Sequence, residues 1–276
     1  MVASARRWAR LAGATAVALS ACATAAVAQA APDQPAPDQP ADVSPFIVGG
    51  QDANIEDHPY VVALTTPSGQ QFCGGTLAAP DKVVTAAHCT DGTAPAEINV
   101  VSGRTEMSAN DGTVSGVTDV WVHPEYSTAT QGFDVSVLTL EAPVQETPIE
   151  LATADDAGYA PDSEATILGW GTTSEGGQQA DHLQMATVPV SSDETCSAAY
   201  PEYSPDSMVC AGYPEGGIDA CQGDSGGPMV VDGKLIGATS WGQGCARPDY
   251  PGVYARIGAY HDVLMEQIES SSAIGR

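Results

Sequence analysis

From Ile47 onward the chain never sustains a long amphipathic stripe; its apolar residues come in short runs cut off by Gly, Pro and Asn. Tyr60 to Thr65, Lys82 to Ala86, Ile98 to Val101, Gly116 to Val122, Val135 to Leu140, Ala165 to Leu168 and Met185 to Val190 are such runs. Their lengths and spacing are those of strands in an all-β domain. Met229-Val230-Val231, Asp232-Gly233 and Leu235 to Ser240 read as strand, turn and strand, since Asp-Gly tolerates the positive φ of a tight hairpin. One helix is expected, at the C-terminus, where Tyr260, Val263, Leu264 and Ile268 fall on one face at the i, i+3, i+4, i+8 spacing. The 230 residues from Ile47 to Arg276 suffice for a sizeable core, with ~70–75% of the unfolded surface buried.

The first 46 residues read differently. Arg6, Arg7 and Arg10 precede an apolar, Ala-rich run, and Ala28-Gln29-Ala30 offers small residues for cleavage, so residues 1–30 read as a secretory signal peptide. The run is too short and small-residued to span a membrane. The paired arginines also admit Tat export, and Leu19-Ser20-Ala21-Cys22 resembles a lipobox that would lipidate Cys22. Residues 31–46 repeat Ala-Pro-Asp-Gln-Pro, a composition that stays extended and unpacked. They are expected to be a propeptide, with a bare tether as the alternative. A secreted protein without a transmembrane segment is the outcome of either reading. Beyond Cys22 six cysteines remain, Cys73, Cys89, Cys196, Cys210, Cys221 and Cys245, which an oxidising compartment would pair in one of 15 ways. A zinc site has no Cys-x2-Cys pair to favour it.

Chemistry concentrates in Cys221-Gln222-Gly223-Asp224-Ser225-Gly226-Gly227-Pro228. Glycines at this density mark a backbone that turns tightly or lets another molecule come close, and Ser225 is the group such a turn would present. Gly223 to Gly227 also fits the nucleophile elbow of α/β-hydrolases, but that motif needs a following helix and the order Ser, acid, His. Here a hairpin pattern follows, and only His261 lies downstream. An upstream partner is His88, at the end of the apolar run Val83-Val84-Thr85-Ala86-Ala87 and beside Cys89.

Together, Thr85-Ala86-Ala87-His88-Cys89 and Gly223 to Pro228 resemble the trypsin/chymotrypsin family of serine peptidases. Ile47-Val48-Gly49-Gly50, Asp134-Val135-Ser136-Val137-Leu138, Gly169-Trp170-Gly171, Ser240-Trp241-Gly242 and Pro251-Gly252-Val253-Tyr254 extend the match in the family's order over residues 47–276. The resemblance implies two six-stranded antiparallel β-barrels, a crossover within 141–161 and an active site between the barrels. It implies His88 as base, Asp134 as its orienting acid and Ser225 as nucleophile, with the N–H groups of Gly223 and Ser225 as the oxyanion hole. It pairs Cys73 with Cys89, Cys196 with Cys210 and Cys221 with Cys245. It makes Ile47 the new N-terminus that inserts beside Asp224, and Asp219 the floor of a pocket for Arg or Lys, with Ala220, Ser240, Trp241, Gly242 and Gly252 as its walls and rim.

Three departures from the family's vertebrate members matter. Ala220 stands where trypsins often carry serine, and losing that hydroxyl should favour Arg over Lys, because a guanidinium reaches a carboxylate through two hydrogen bonds unaided. Arg104 follows Gly103 where an acidic calcium ligand would sit, so no calcium site of that type and no cofactor is expected. The mature part holds six basic residues, Lys82, Arg104, Lys234, Arg247, Arg256 and Arg276, so the net charge of −26 stays almost wholly on it. Such a surface repels nucleic acid and favours cationic substrates, while also serving solubility. Expected partners are protein or peptide substrates with Arg or Lys before the scissile bond, an activating protease and protein protease inhibitors, met by a monomer. A catalytically dead binding homologue and an α/β-hydrolase esterase are the competing classes.

Overall fold

Among the described residues, 47–270 of a computed structural model, the short apolar runs become fourteen strands. The signal peptide, propeptide and Cys22 expectations lie outside them. After the two-residue β1 (Gln51–Asp52), strands β2 (Val61–Thr65), β3 (Gln71–Ala79) and β4 (Lys82–Thr85) lead into the short helix α1 (Ala87–Thr90). Strands β5 (Asn99–Ser102), β6 (Thr113–Val122) and β7 (Ser136–Leu140) complete a closed barrel in the order β2-β3-β4-β7-β6-β5. Its interior is filled by Val62, Leu64, Leu77, Val83, Val100 and Leu138, the inward half of alternating strands.

The chain then crosses over from Glu141 to Ser163, two residues beyond the expected span, and contributes β8 (Glu150–Leu151) on the way. Strands β9 (Glu164–Gly169) and β10 (Gln184–Pro189), helix α2 (Asp193–Ala199), strands β11 (Met208–Ala211), β12 (Pro228–Val231), β13 (Lys234–Trp241) and β14 (Gly252–Arg256), and helix α3 (His261–Glu269) follow. They form an eight-stranded sheet, β1-β10-β9-β12-β13-β14-β11, with β8 parallel to β13. The ladder of this sheet does not close, unlike the second six-stranded barrel implied by the resemblance. Its ends meet through the single bridge Val190–Ala211, flanked by Ser191 N–H to the Cys210 carbonyl and Gly212 N–H to the Pro189 carbonyl, each 2.9 Å. Pro189 ends β10 without an N–H to donate, and α2 then carries the chain off the sheet before β11 begins.

Two further differences from the sequence reading have local causes. Helix α2 was not anticipated beside the C-terminal helix, although Ser192 caps it by accepting from Thr195 N–H at 3.1 Å and Asp193 and Glu194 occupy its first turn, which is N-terminal helix chemistry. Strand β3 was also missed, because Gly74-Gly75 interrupts its apolar pattern. Helix α3 buries Leu264 and Ile268 as expected. The halves join through shared packing, with Val84 and Val137 of the barrel against Val230, Leu235 and Ala255 of the sheet.

All three implied disulfides are formed. Cys73–Cys89 and Cys196–Cys210 close loops with sequence separations of 16 and 14, so chain entropy assigns each about 3 kcal/mol. Only the first is attached to the segment that carries His88. Replacing either pair by alanine should therefore cost similar stability in denaturant titrations, whereas kcat should fall mainly in the Cys73→Ala/Cys89→Ala variant.

Candidate active site

Strand β4 and α1 deliver His88, and the loop before β7 delivers Asp134. Asp134 is 1% exposed and grips the histidine twice: its Oδ1 accepts from His88 N–H at 2.8 Å, and its Oδ2 lies 2.8 Å from His88 Nδ1. A carboxylate can only accept, so Nδ1 carries a proton, and in the neutral ring Nε2 keeps the lone pair. Ser240 Oγ donates to the same Oδ2 at 2.5 Å, fixing the acid from the sheet side.

Ser225 sits on a turn that Asp224 N–H closes onto the Cys221 carbonyl at 3.0 Å and Gly227 N–H onto the Asp224 carbonyl at 2.8 Å. The turn docks on both halves of the fold: Gly74 N–H of β3 donates to the Ser225 carbonyl at 2.8 Å, and Gly226 N–H to the Thr239 carbonyl of β13 at 2.7 Å. Cys89 Sγ lies 3.6 Å from the Ser225 carbonyl, which puts the serine beside the neighbour of His88. Among the described residues the Ser225 hydroxyl makes no hydrogen bond, an open geometry common in catalytic sites without substrate. Thr172 N–H holds the Gln222 carbonyl at 2.7 Å. In a planar trans peptide this turns Gly223 N–H the opposite way, and neither that N–H nor Ser225 N–H is used within the described chain.

Next to Ser225 opens a pocket of about 190 Å³ lined by Asp219, Ala220, Ser240, Trp241, Gly242 and Gly252, with Tyr254 and Cys245. Every anticipated pocket residue is thus in one place. Asp219 is 5% exposed; its Oδ2 accepts from Ala246 N–H at 3.0 Å, and among the described residues it has no cationic partner. Burial pushes its pKa up to about 7, against the backbone N–H bonds from Ala246 and Ala220, which pull it down. Gly252 keeps the pocket open, because a Cβ there would lie 2.6 Å from Asp219 Oδ1. The buried Tyr254 hydroxyl has no partner within the described chain, and burial raises its pKa, so it stays neutral.

Beneath the serine, Asp224 accepts from Gly171 N–H at 2.8 Å and Cys221 N–H at 2.9 Å. Burial raises its pKa to about 6. Ile47 is fully buried, and Asp219 N–H donates to the carbonyl of the next residue, Val48, at 3.1 Å. The segment after Phe46 is therefore tied to the pocket floor. Of the groups named here, Thr172 carried no sequence signal, and Tyr254 appeared only as the end of a motif. The group of metal-ligand type among the described residues is Cys73, His88 and Cys89, but its two sulfurs form a disulfide and offer no thiolate. Arg104 donates from Nε to the Asp111 carbonyl at 2.9 Å, bracing the loop that it opens.

The raised pKa of Asp219 yields a signed pH dependence. Without a ligand, its stability contribution is full below the unfolded value of 3.8 and is lost as pH rises through about 7. Benzamidinium needs the ionised carboxylate, so its affinity should climb by about tenfold per pH unit below pH ~7 and level off above, with proton release near pH ~6. Calorimetry in buffers of different ionisation enthalpy measures this; a flat profile without proton release would contradict it.

The family model described as Trypsin matches residues 47–264. A trypsin of Saccharopolyspora erythraea is 77% identical over 226 residues, 82% of this chain and 100% of that protein. A vitellin-degrading protease of Bombyx mori is 43% identical over 227 residues, 80% of this chain and 85% of its own. A trypsin of Squalus acanthias is 40% identical over 227 residues, 81% of this chain and 96% of its own. With a match of this extent laid over the fold and site just described, the chain belongs to the trypsin family and is a trypsin-like serine endopeptidase.

Proposed function

We propose that this endopeptidase is secreted as a zymogen and cleaves after Arg, and less readily after Lys, through acylation of Ser225. His88 Nε2 takes the hydroxyl proton as Ser225 attacks and returns it to the leaving amine; Asp134 holds the tautomer and stabilises the imidazolium. Gly223 N–H and Ser225 N–H receive the developing oxyanion, where one lost donor costs about 3 kcal/mol. Water then hydrolyses the acyl-enzyme by the same path in reverse. The free edge of Ser240 to Gly242 takes the substrate backbone as an added strand.

The observation that carries the specificity is the buried carboxylate of Asp219, without a cationic partner among the described residues, in the pocket beside Ser225. A charge so placed is strongly disfavoured until a cation meets it, and Arg does so with paired hydrogen bonds that need no help from Ala220. The Lys and Arg side chains among the described residues fit an enzyme that spares itself. Lys82 is 2% exposed, the Arg104 and Arg256 side chains are 12% and 15% exposed, and Lys234 and Arg247 are ion-paired. Arg247 also precedes Pro248, whose ring and missing N–H make a poor bond to cleave.

Activation follows from the same carboxylates. A free amine on Ile47 would give Asp224 a counter-charge, which no group among the described residues supplies. Pairing raises the amine's pKa above the ~7.7–8.0 of a free one, so its stabilisation is full below that range and is lost as pH rises through the folded value. Phe46 precedes the bond, and an aromatic ring cannot satisfy Asp219. The activator is therefore a second protease that accepts a bulky apolar residue, either Phe46 before the bond or Ile47 after it.

Three measurements test this reading. Asp219→Ser should lower kcat/KM on arginyl anilides by several orders of magnitude while a fluorophosphonate still labels Ser225; surviving arginyl turnover would overturn the pocket assignment. Acetylation of Ile47 in the mature form should abolish activity. Proenzyme of residues 31–276 should persist with a trace of mature enzyme but mature rapidly with a chymotrypsin-like protease, and Phe46→Arg should make it self-activating; rapid self-generation of the Ile47 terminus in the unaltered chain would refute this.

A further inference from the structure

We infer that Gln71 and Gln179 are positioning residues that hold the oxyanion-binding turn in its working orientation, an inference that rests on the assignment of Gly223 N–H as an oxyanion donor. Gln71 opens β3 of the closed barrel and is 7% exposed. Its Nε2 donates to the Gly223 carbonyl at 2.7 Å and to the Cys73 carbonyl at 3.1 Å. Its Oε1 accepts from Gln179 Nε2 at 2.7 Å, so both amide protons and the oxygen are in use. Turning the carboxamide over would set Oε1 against two carbonyl oxygens, so the network allows one orientation.

Gly223 is held at both of its flanking peptides. Thr172 N–H fixes the peptide before Gly223 through the Gln222 carbonyl, and Gln71 fixes the peptide after it through the Gly223 carbonyl. Gly223 has φ +96°, and a Cβ on it would lie 2.6 Å from Gln179 Nε2. Gln179 thus also packs over its Cα. A left-handed glycine has little intrinsic preference of its own; between these two carbonyl anchors it has one. Without Gln71 the peptide after Gly223 loses its anchor, and Thr172 alone then resists rotation of the Gly223 N–H out of the cleft.

Gln71→Met keeps the length and removes the hydrogen bonds, and Gln179→Met changes an exposed side chain. Each is assayed for kcat and KM on an arginyl anilide, for an arginine aldehyde, whose hemiacetal oxygen needs the two N–H donors, and for benzamidine, which needs only Asp219. Gln71→Met should lower kcat and aldehyde affinity together by about three- to tenfold, the worth of one ordinary hydrogen bond, leaving KM and benzamidine affinity unchanged. Gln179→Met should do the same to a smaller degree, and the double variant should be no worse than Gln71→Met, because the two act in series. Equal losses for aldehyde and benzamidine, or no loss in either variant, would overturn the relay. If the unaltered enzyme binds the aldehyde no tighter than the corresponding arginine alcohol, the oxyanion assignment itself fails, and the relay with it.

Discussion

A carboxylate buried without a counter-ion among the described residues is the constraint around which this molecule is arranged. Asp219 is held by Ala246 N–H on one side and bridged through its own N–H to Val48 on the other. The Cys221–Cys245 disulfide ties the segment that carries it to the segment that carries Ala246. A lone ionised group in such surroundings relaxes by taking up a proton or by finding a cation. The fold prevents collapse onto it with Gly252 and keeps the space open toward Ser225. The proposed preference for a cationic side chain rests on relief of that unpaired charge.

The reactive turn depends on both halves of the fold at once. Its carbonyls are taken by Gly74 and Gln71 of the barrel and by Thr172 from the loop after β9, while its acid, Asp224, is satisfied from below by Gly171 and Cys221. The histidine and its acid come from the barrel, yet Ser240 of the sheet donates to that acid. No half could assemble this constellation alone, which is why it sits where they meet. The bridge between Val48 and Asp219 adds a third partner, tying the segment after Phe46 to the pocket floor.

Much of this was legible in the sequence because its signals are local. Runs such as Val135 to Leu140 declare strands by composition, and the Asp232-Gly233 turn declares its hairpin. Ser225, His88 and Asp219 lie in motifs whose neighbours are themselves informative. What escaped depends on contacts between distant residues. Closure of the second sheet hinges on how Pro189 and α2 leave the edge of β10, which no periodicity records. Strand β3 hides because the glycines that let Ser225 dock on it also erase its apolar pattern. Gln71 meets Gly223 across 152 positions, and the glutamine pair before Phe72 looks like any polar strand end.

The claim on which the rest stands is that the Asp219 carboxylate selects the residue before the scissile bond. Mapping the cleavage sites of the mature enzyme on a diverse peptide library tests it without assuming any substrate. Arg before nearly every cleaved bond, with Lys a clear second and acidic or apolar residues absent, is the predicted result. A set of cleavage sites with no basic residue in that position would contradict the account at its centre.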